Sequence, residues 1–211
     1  MKIFVTKFAS FRPSSENPSE SPKLPYVDSL FKRRLSQISR MTIEVVHEVV
    51  GENGENADAK IVFTSFRGEI VRQLKTNKTL FEDSAVMPAS FSISVFNTPP
   101  GVATIVCKVK AGYTAIFPSE NNFSSSLVAA AAGILAGSDE KIIFAYADEL
   151  VPAEYKNCPD YTDSAPLAFA CVLSAKKSDG AIEIPLESSE LSKISLTPED
   201  FLRYLESARN K

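Results

Sequence analysis

Between Ser29 and Val50 the apolar residues Leu30, Leu35, Ile38, Met41, Val45 and Val49 recur at three- and four-residue steps, which predicts one helix with a single buried side. Gly51 and the polar run to Asp58 end it. On either side the pattern changes. Residues 2–8 alternate loosely and read as a strand, and residues 9–25, with Pro13, Pro18, Pro22 and Pro25 among serines and acids, read as an irregular surface loop. Residues 60–64 are a short β-branched and aromatic run, the pattern of a strand buried on both sides. Ser65 to Gly68 turn the chain into a helix from Glu69 to Lys75 with Ile70, Val71 and Leu74 facing inward. Residues 87–101 are small or polar at alternate positions and end in Pro99, Pro100 and Gly101, which reads as a loop that lines something. For residues 102–110 two readings stay open. Valine, isoleucine and threonine favour a strand, whereas the prolines before and Gly112 after favour a helix with a proline start and a glycine stop.

From Gly112 to Glu149 the pattern is the most ordered in the chain. An extended run (Tyr113 to Phe117) leads through a polar turn (Pro118 to Asn122) into a small-residue helix (Phe123 to Ala136), and a second extended run follows (Ile142 to Tyr146). Ala129 to Ala132 allow close backbone approach, as a helix buried between layers requires. Residues 151–165 are a further loop. Residues 166–176 and 181–186 read as two strands joined in a hairpin at Ser178, Asp179 and Gly180. Thr197, Pro198, Glu199 and Asp200 form a capped, acidic helix start, and Phe201, Leu202 and Leu205 share the buried side of the last helix. Strands alternating with helices predict an α/β layered fold with a mixed sheet, and residues 1–211 are read as a single domain.

Composition narrows the function classes. The net charge of −3 supplies no basic field, which argues against nucleic acid as a partner. No apolar run approaches the ~20 residues that span a bilayer, and the first residues lack the apolar core and cleavage site of a signal peptide, so the expected location is the cytoplasm. Cys107, Cys158 and Cys171 are widely spaced and the chain holds one histidine, His47, so neither a disulfide framework nor a zinc site is expected, and no cofactor is implied.

The chemistry-bearing candidate is Glu120, in the turn where the small-residue helix begins. A side chain there faces unpaired N–H groups and the positive end of the helix dipole. It reads as a carboxylate that caps the helix or as a general base, although no second titratable partner stands near it in sequence. Ser124, Ser125 and Ser126 have no histidine within sequence reach, so packing explains them better than hydrolysis. Asp148 and Glu149 close a strand, as acids commonly do in α/β proteins, and are not assigned a metal.

The helix with Lys32, Arg33, Arg34 and Arg40, the turn SFRGE (65–69), the loop PASFSISVFN (88–97) and the segment FAYADELVP (144–152) stand in an order that resembles the N-terminal half of a β-ketoacyl synthase. More narrowly, the chain resembles the short chain-length-factor-like proteins of aryl-polyene and type II polyketide pathways. The resemblance implies a thiolase-like half-fold: a layered mixed β-sheet with a buried central helix, Phe123–Ala136. In condensing enzymes a nucleophilic cysteine opens that helix; counted back from Ile134, Leu135 and Gly137, its place here is Glu120. A carboxylate is a poor thioester acceptor, because the product is a hydrolysable mixed anhydride. The histidines of condensing enzymes belong to a C-terminal half that this chain is expected to lack. The short family carries a histidine where this chain has Phe96, so a role tied to that imidazole does not transfer.

The resemblance therefore implies a non-catalytic subunit that pairs with a full-length ketosynthase, or with itself, in polyketide- or fatty-acid-like elongation. Tyr113, Ala115, Ile116 and Phe117 are the implied pairing strand. Ser94, Phe96, Asn97, Glu120, Asn121 and Phe123 are the implied acyl-site lining, and Lys32, Arg33, Arg34 and Arg40 the implied docking residues for an acyl carrier protein. Two other classes stand beside this one: a small acyl-thioester decarboxylase or hydrolase using Glu120, and an acyl- or carrier-protein-binding module.

Overall fold

The computed structural model describes residues 2–119, 122–158 and 165–210, the side chain of Ser188 excepted. Its strands are β1 (Ile3–Phe11), β2 (Lys60–Thr64), β3 (Tyr113–Ile116), β4 (Lys141–Asp148), β5 (Leu167–Ser174) and β6 (Ile182–Ile184). The helices are α1 (Ser29–Lys32), α2 (Gln37–Val50), α3 (Ile70–Asp83), α4 (Pro88–Phe91), α5 (Thr98–Val106), α6 (Phe123–Leu135), α7 (Ser188–Ile194) and α8 (Pro198–Arg209). The strands form one six-stranded mixed sheet in the order β3-β2-β4-β5-β1-β6. β3, β2 and β4 run parallel, and β5 is antiparallel to both β4 and β1. Because side chains alternate across a strand, β4 sends Ile143, Ala145 and Ala147 to one face and Ile142, Phe144 and Tyr146 to the other. The first face is covered by Ile38, Met41, Val45 and Val49 of α2 and by Ala103 of α5. The second is covered by Phe123, Leu127 and Ile134 of α6, Leu191 of α7, and Phe201, Leu202 and Leu205 of α8.

Residues 60–64 form the expected doubly buried strand, and Thr197 caps α8 by accepting a hydrogen bond from the Asp200 N–H at 3.1 Å. The open question at 102–110 resolves as a helix: Pro99 and Pro100 lie in the first turn of α5, which stops at Cys107 where Lys108 takes a positive φ of 56°. Four expectations are corrected. The segment 29–50 is two helices, because Asp28 caps α1 and Ser36 caps α2, and Leu30 points to solvent. α3 runs on to Asp83 and buries no residue, so Val71 is 45% exposed rather than inward. The supposed loop at 87–101 contains α4 and the start of α5. Finally, β5 and β6 do not pair. Gly180 does turn the chain, but β1 lies between them, pairing Val5 with Leu173 on one side and with Ile182 on the other. Ile3 and Val5 thereby join Leu173, Ile182 and Ile184 in one buried cluster, which a hairpin would have left open. α6 is buried on its sheet side only: Val128, Ala129 and Ala132 face outward.

Candidate functional site

The C-terminal ends of the parallel strands β2 and β4 lie side by side, with Thr64 opposite Tyr146. This is where open α/β sheets usually place their chemistry. Each strand is followed by polar residues that fold inward: Ser65 to Glu69 after β2, and Asp148 with Glu149 at the end of β4. All three carboxylates, Glu69, Asp148 and Glu149, are buried. Asp148 accepts hydrogen bonds from Ser65 Oγ at 2.5 Å, from the Tyr146 hydroxyl at 2.7 Å and from the backbone N–H of Arg67 at 3.2 Å. The Arg67 guanidinium stands 3.7 Å away. Burial raises the Asp148 pKa above the usual carboxylate value despite these partners, and raises that of the Tyr146 hydroxyl further above its own. The Gly68 N–H donates to Ser65 Oγ at 2.7 Å, and Gly68 has a positive φ of 58° where a Cβ would sit 2.9 Å from the Phe96 ring. Glycine is what lets the turn close.

A second group lies beside the first. Glu149 accepts from the backbone N–H of Val71 at 3.1 Å and of Ile38 at 3.4 Å, so one carboxylate meets the N-terminal turns of both α3 and α2. Glu69 accepts from Ser39 Oγ at 2.6 Å and Ser36 Oγ at 2.8 Å, and its other oxygen is 3.0 Å from Arg72 Nε. That last contact is an ion pair without hydrogen-bond alignment. Burial, and then the neighbouring Glu69 carboxylate, push Glu149 up to about 8; burial raises Glu69 as well. At about 8, Glu149 holds a proton near neutrality, and the two acids tie the ends of β2 and β4 to the starts of α2 and α3. Among the described residues no cluster of His, Cys, Asp and Glu is arranged to hold a metal ion.

The sequence reading treats Asp148 and Glu149 as ordinary strand-end acids and Glu69 as a helix start. The signal that unites them is that both polar segments follow parallel strands that prove to be neighbours.

Glu120 and Asn121 lie outside the described residues. The cap of α6 is Asn122, whose side chain accepts from the Ser124 N–H at 3.0 Å. Ser125 Oγ accepts from the Ser119 N–H at 2.9 Å, and Ser124 Oγ bonds the Ser195 carbonyl at 2.7 Å, so these serines are structural. Phe96 lies between Phe63 and Phe117, each about 6.1 Å away, and Asn97 Nδ2 donates to the Tyr113 hydroxyl at 3.0 Å. Ser94 is buried and bonds the Phe91 carbonyl. Phe123 is not with them. It packs among Phe144, Tyr146, Phe169 and Phe201 on the other side of the sheet.

Of the four cations, Lys32 donates to the carbonyls of Lys23 and Leu24, and Arg40 donates to the Lys32 carbonyl; Arg33 and Arg34 are exposed. Cys107 and Cys171 are buried, with thiol pKa values raised by burial, Cys107 to about 12; Cys158 is exposed.

Among the described residues β3 ends the sheet on one side, paired only with β2. The Gly112 carbonyl accepts from the Ile61 N–H at 3.0 Å. Along a strand the pairing direction alternates, so Thr114 and Ile116 face β2 while Tyr113, Ala115 and Phe117 present their N–H and C=O groups outward. Phe117 is 58% exposed, and Ile105, one turn along α5 from Gly101, where a Cβ would stand 3.4 Å from the Tyr113 hydroxyl, is 70% exposed. An unpaired edge with exposed apolar neighbours is a template for another chain.

Among the described residues no helix is long and apolar enough to cross a membrane. No curated protein matches the sequence. The chain is similar in fold to a solved complex of a ketosynthase (ApeO) with its chain length factor (ApeC) from Xenorhabdus doucetiae, with 23% identity, 84% of this chain and 81% of that chain covered, and a TM-score of 0.69. It is similar also to the ishigamide ketosynthase/chain length factor, at 10% identity and a TM-score of 0.65 over 85% of this chain and 64% of that one. A third likeness is to AntDE:AntF, a type II polyketide acyl-carrier protein in complex with its ketosynthase, at 14% identity and a TM-score of 0.62 over 82% of this chain and 62% of that one. The chain thus spans less than two thirds of the latter two, and the sheet with helices on both faces is that of the thiolase-like ketosynthase fold. The family model described as the N-terminal domain of β-ketoacyl synthase matches residues 9–199, and the chain belongs to that family.

Proposed function

We propose that this chain is a non-catalytic, chain-length-factor-type subunit that pairs with a ketosynthase during polyketide- or fatty-acid-like acyl elongation. The observation that carries the reading is the free edge of β3 between exposed Phe117 and Ile105. It fits a partner strand added across the interface, and the solved complexes of similar fold pair a ketosynthase with a chain length factor. Glu120 at the place of the condensing nucleophile favours a subunit that shapes an acyl tunnel over one that condenses. Residues 1–211 act as one domain in this reading, supported by β1 and β5, from opposite ends of the chain, lying side by side in one sheet.

Co-expression with the ketosynthase encoded nearest to it, followed by size exclusion and an elongation assay, tests the proposal. A stable heterodimer that elongation requires is the expected result. Ala115→Pro removes an outward donor while leaving the β2 ladder intact, so the chain should stay folded and lose its partner. Ile116→Pro, which faces β2, should damage the sheet itself. A complex unchanged by Ala115→Pro would move the interface elsewhere. Carrier-protein docking, if made by this subunit, falls to Arg33 and Arg34, and Arg33→Glu with Arg34→Glu should weaken carrier capture without affecting assembly.

A further inference from the structure

The opposite end of the sheet carries a second unpaired edge of a different kind. Among the described residues, β6 pairs only with Ile3, Phe4 and Val5 of β1, and the rest of β1 has β5 on one side and no strand on the other. That uncovered length floors a groove of about 970 Å³ lined by the unbroken stretch Val5 to Phe11. α2 forms one wall with Glu44 and Glu48, α8 forms the other with Glu206 and Arg209, and Gly180 and Ile182 close one end. The open edge from Lys7 to Phe11 is about 17 Å long at strand rise, the length of a five-residue strand.

We propose that this groove receives an extended, cationic segment of a partner protein, which adds to β1 as a strand. Main-chain hydrogen bonds to the open edge would supply the attachment, and the walls the selectivity. The charges lining the groove set the sign. Lys7 lies within electrostatic reach of Glu55, in the loop after α2, and the Arg209 guanidinium lies 5.6 Å over the Phe8 ring. Glu44 accepts the Tyr26 hydroxyl at 2.8 Å. Glu48 and Glu206 are exposed on facing walls, and among the described residues neither has an ion-pair partner. A basic side chain on either side of an added strand meets one of them. A second copy fits poorly: pairing two β1 edges sets the acidic walls of one copy against those of the other, and the flanking helices keep a whole sheet out. The proposal does not rest on the ketosynthase-partner reading and uses the other edge of the sheet.

The test uses the full chain and a seven-residue capped peptide with lysine at every other position and valine or threonine between, beside its glutamate analogue, at low ionic strength. The lysine peptide should bind and slow amide exchange at the outward-facing positions among Lys7 to Phe11. Glu48→Lys and Glu206→Lys, both surface changes, should each weaken it about two- to fivefold. Equal binding of the glutamate analogue, unchanged affinity in both variants, or no protection along β1 would overturn the proposal. So would protection that grows with protein concentration without peptide, which would make a second copy the occupant.

Discussion

Strand β5 and helix α3 hold their places by opposite means. Every residue of β5 is buried, and Phe169 alone touches Phe123, Phe144, Tyr146 and Phe201. α3 has fourteen residues and buries none. It is held at its first turn, by Glu149 on the Val71 N–H, by Glu69 against Arg72, and by the Arg72 guanidinium on the Arg34 carbonyl. Farther along it has the exposed pair Lys78–Glu154, which contributes little in water. The body is therefore stabilised by apolar burial, which pH does not touch, while the α3–α4 arm is attached through acids that titrate.

The largest effect should come from the body. Phe169→Ala removes the centre of the aromatic cluster and should cost about 3–5 kcal/mol in denaturant unfolding. Next comes the junction. Tyr146→Phe takes a donor from buried Asp148 and should cost about 1–3 kcal/mol. The pH dependence sharpens the contrast. Glu149, Glu69 and Asp148 all have folded-state pKa values above their ordinary ones, so the folded chain keeps protons that the unfolded chain releases. Their contribution is fully present below the ordinary carboxylate pKa of about 4 and is lost as pH rises, for Glu149 until about 8. Stability measured from pH 5 to 9 should fall across that window, and Glu149→Gln should flatten the slope by up to one proton. An unchanged slope would show that Glu149 is already ionised in the folded chain.

What the sequence made legible was local. Thr197 with Pro198 announces a helix start because its cap bonds a residue three positions on, and KIVFT reads as a buried strand because every position after Lys60 is apolar or β-branched. The break at Arg33 to Ser36 was hidden because the apolar spacing runs through it, and only the caps at Asp28 and Ser36 mark it. The false hairpin has a different cause. Gly180 turns the chain as expected, but which strand lies beside β5 is decided by β1, more than 150 residues away along the chain. The same holds for the buried acids. Glu69 and Glu149 stand 80 positions apart, and nothing local says that β2 and β4 are neighbours. Of the candidate site, only the acids Asp148 and Glu149 at the end of a strand were legible. The polar core they join was not, because that core is assembled by strand order.

The smallest predicted effect is the most discriminating for the arm. Phe81, on the last turn of α3, is 84% exposed, and Leu80, Met87 and Phe91 are exposed with it. A side chain that leaves water so little on folding contributes almost no burial energy, so Phe81→Ser should change unfolding stability by no more than about 0.5 kcal/mol. It should also leave the pH slope set by Glu149 unaltered, since the junction lies at the other end of the helix. A loss of 2 kcal/mol or more, of the size expected for burying a phenylalanine, would mean that the arm folds back onto the body in solution. The contrast between β5 and α3 would then be one of degree. A loss that appears only when a co-expressed ketosynthase is present would instead place Phe81 at the edge of an interface with it. Measuring the variant alone and in the co-expressed complex separates these outcomes.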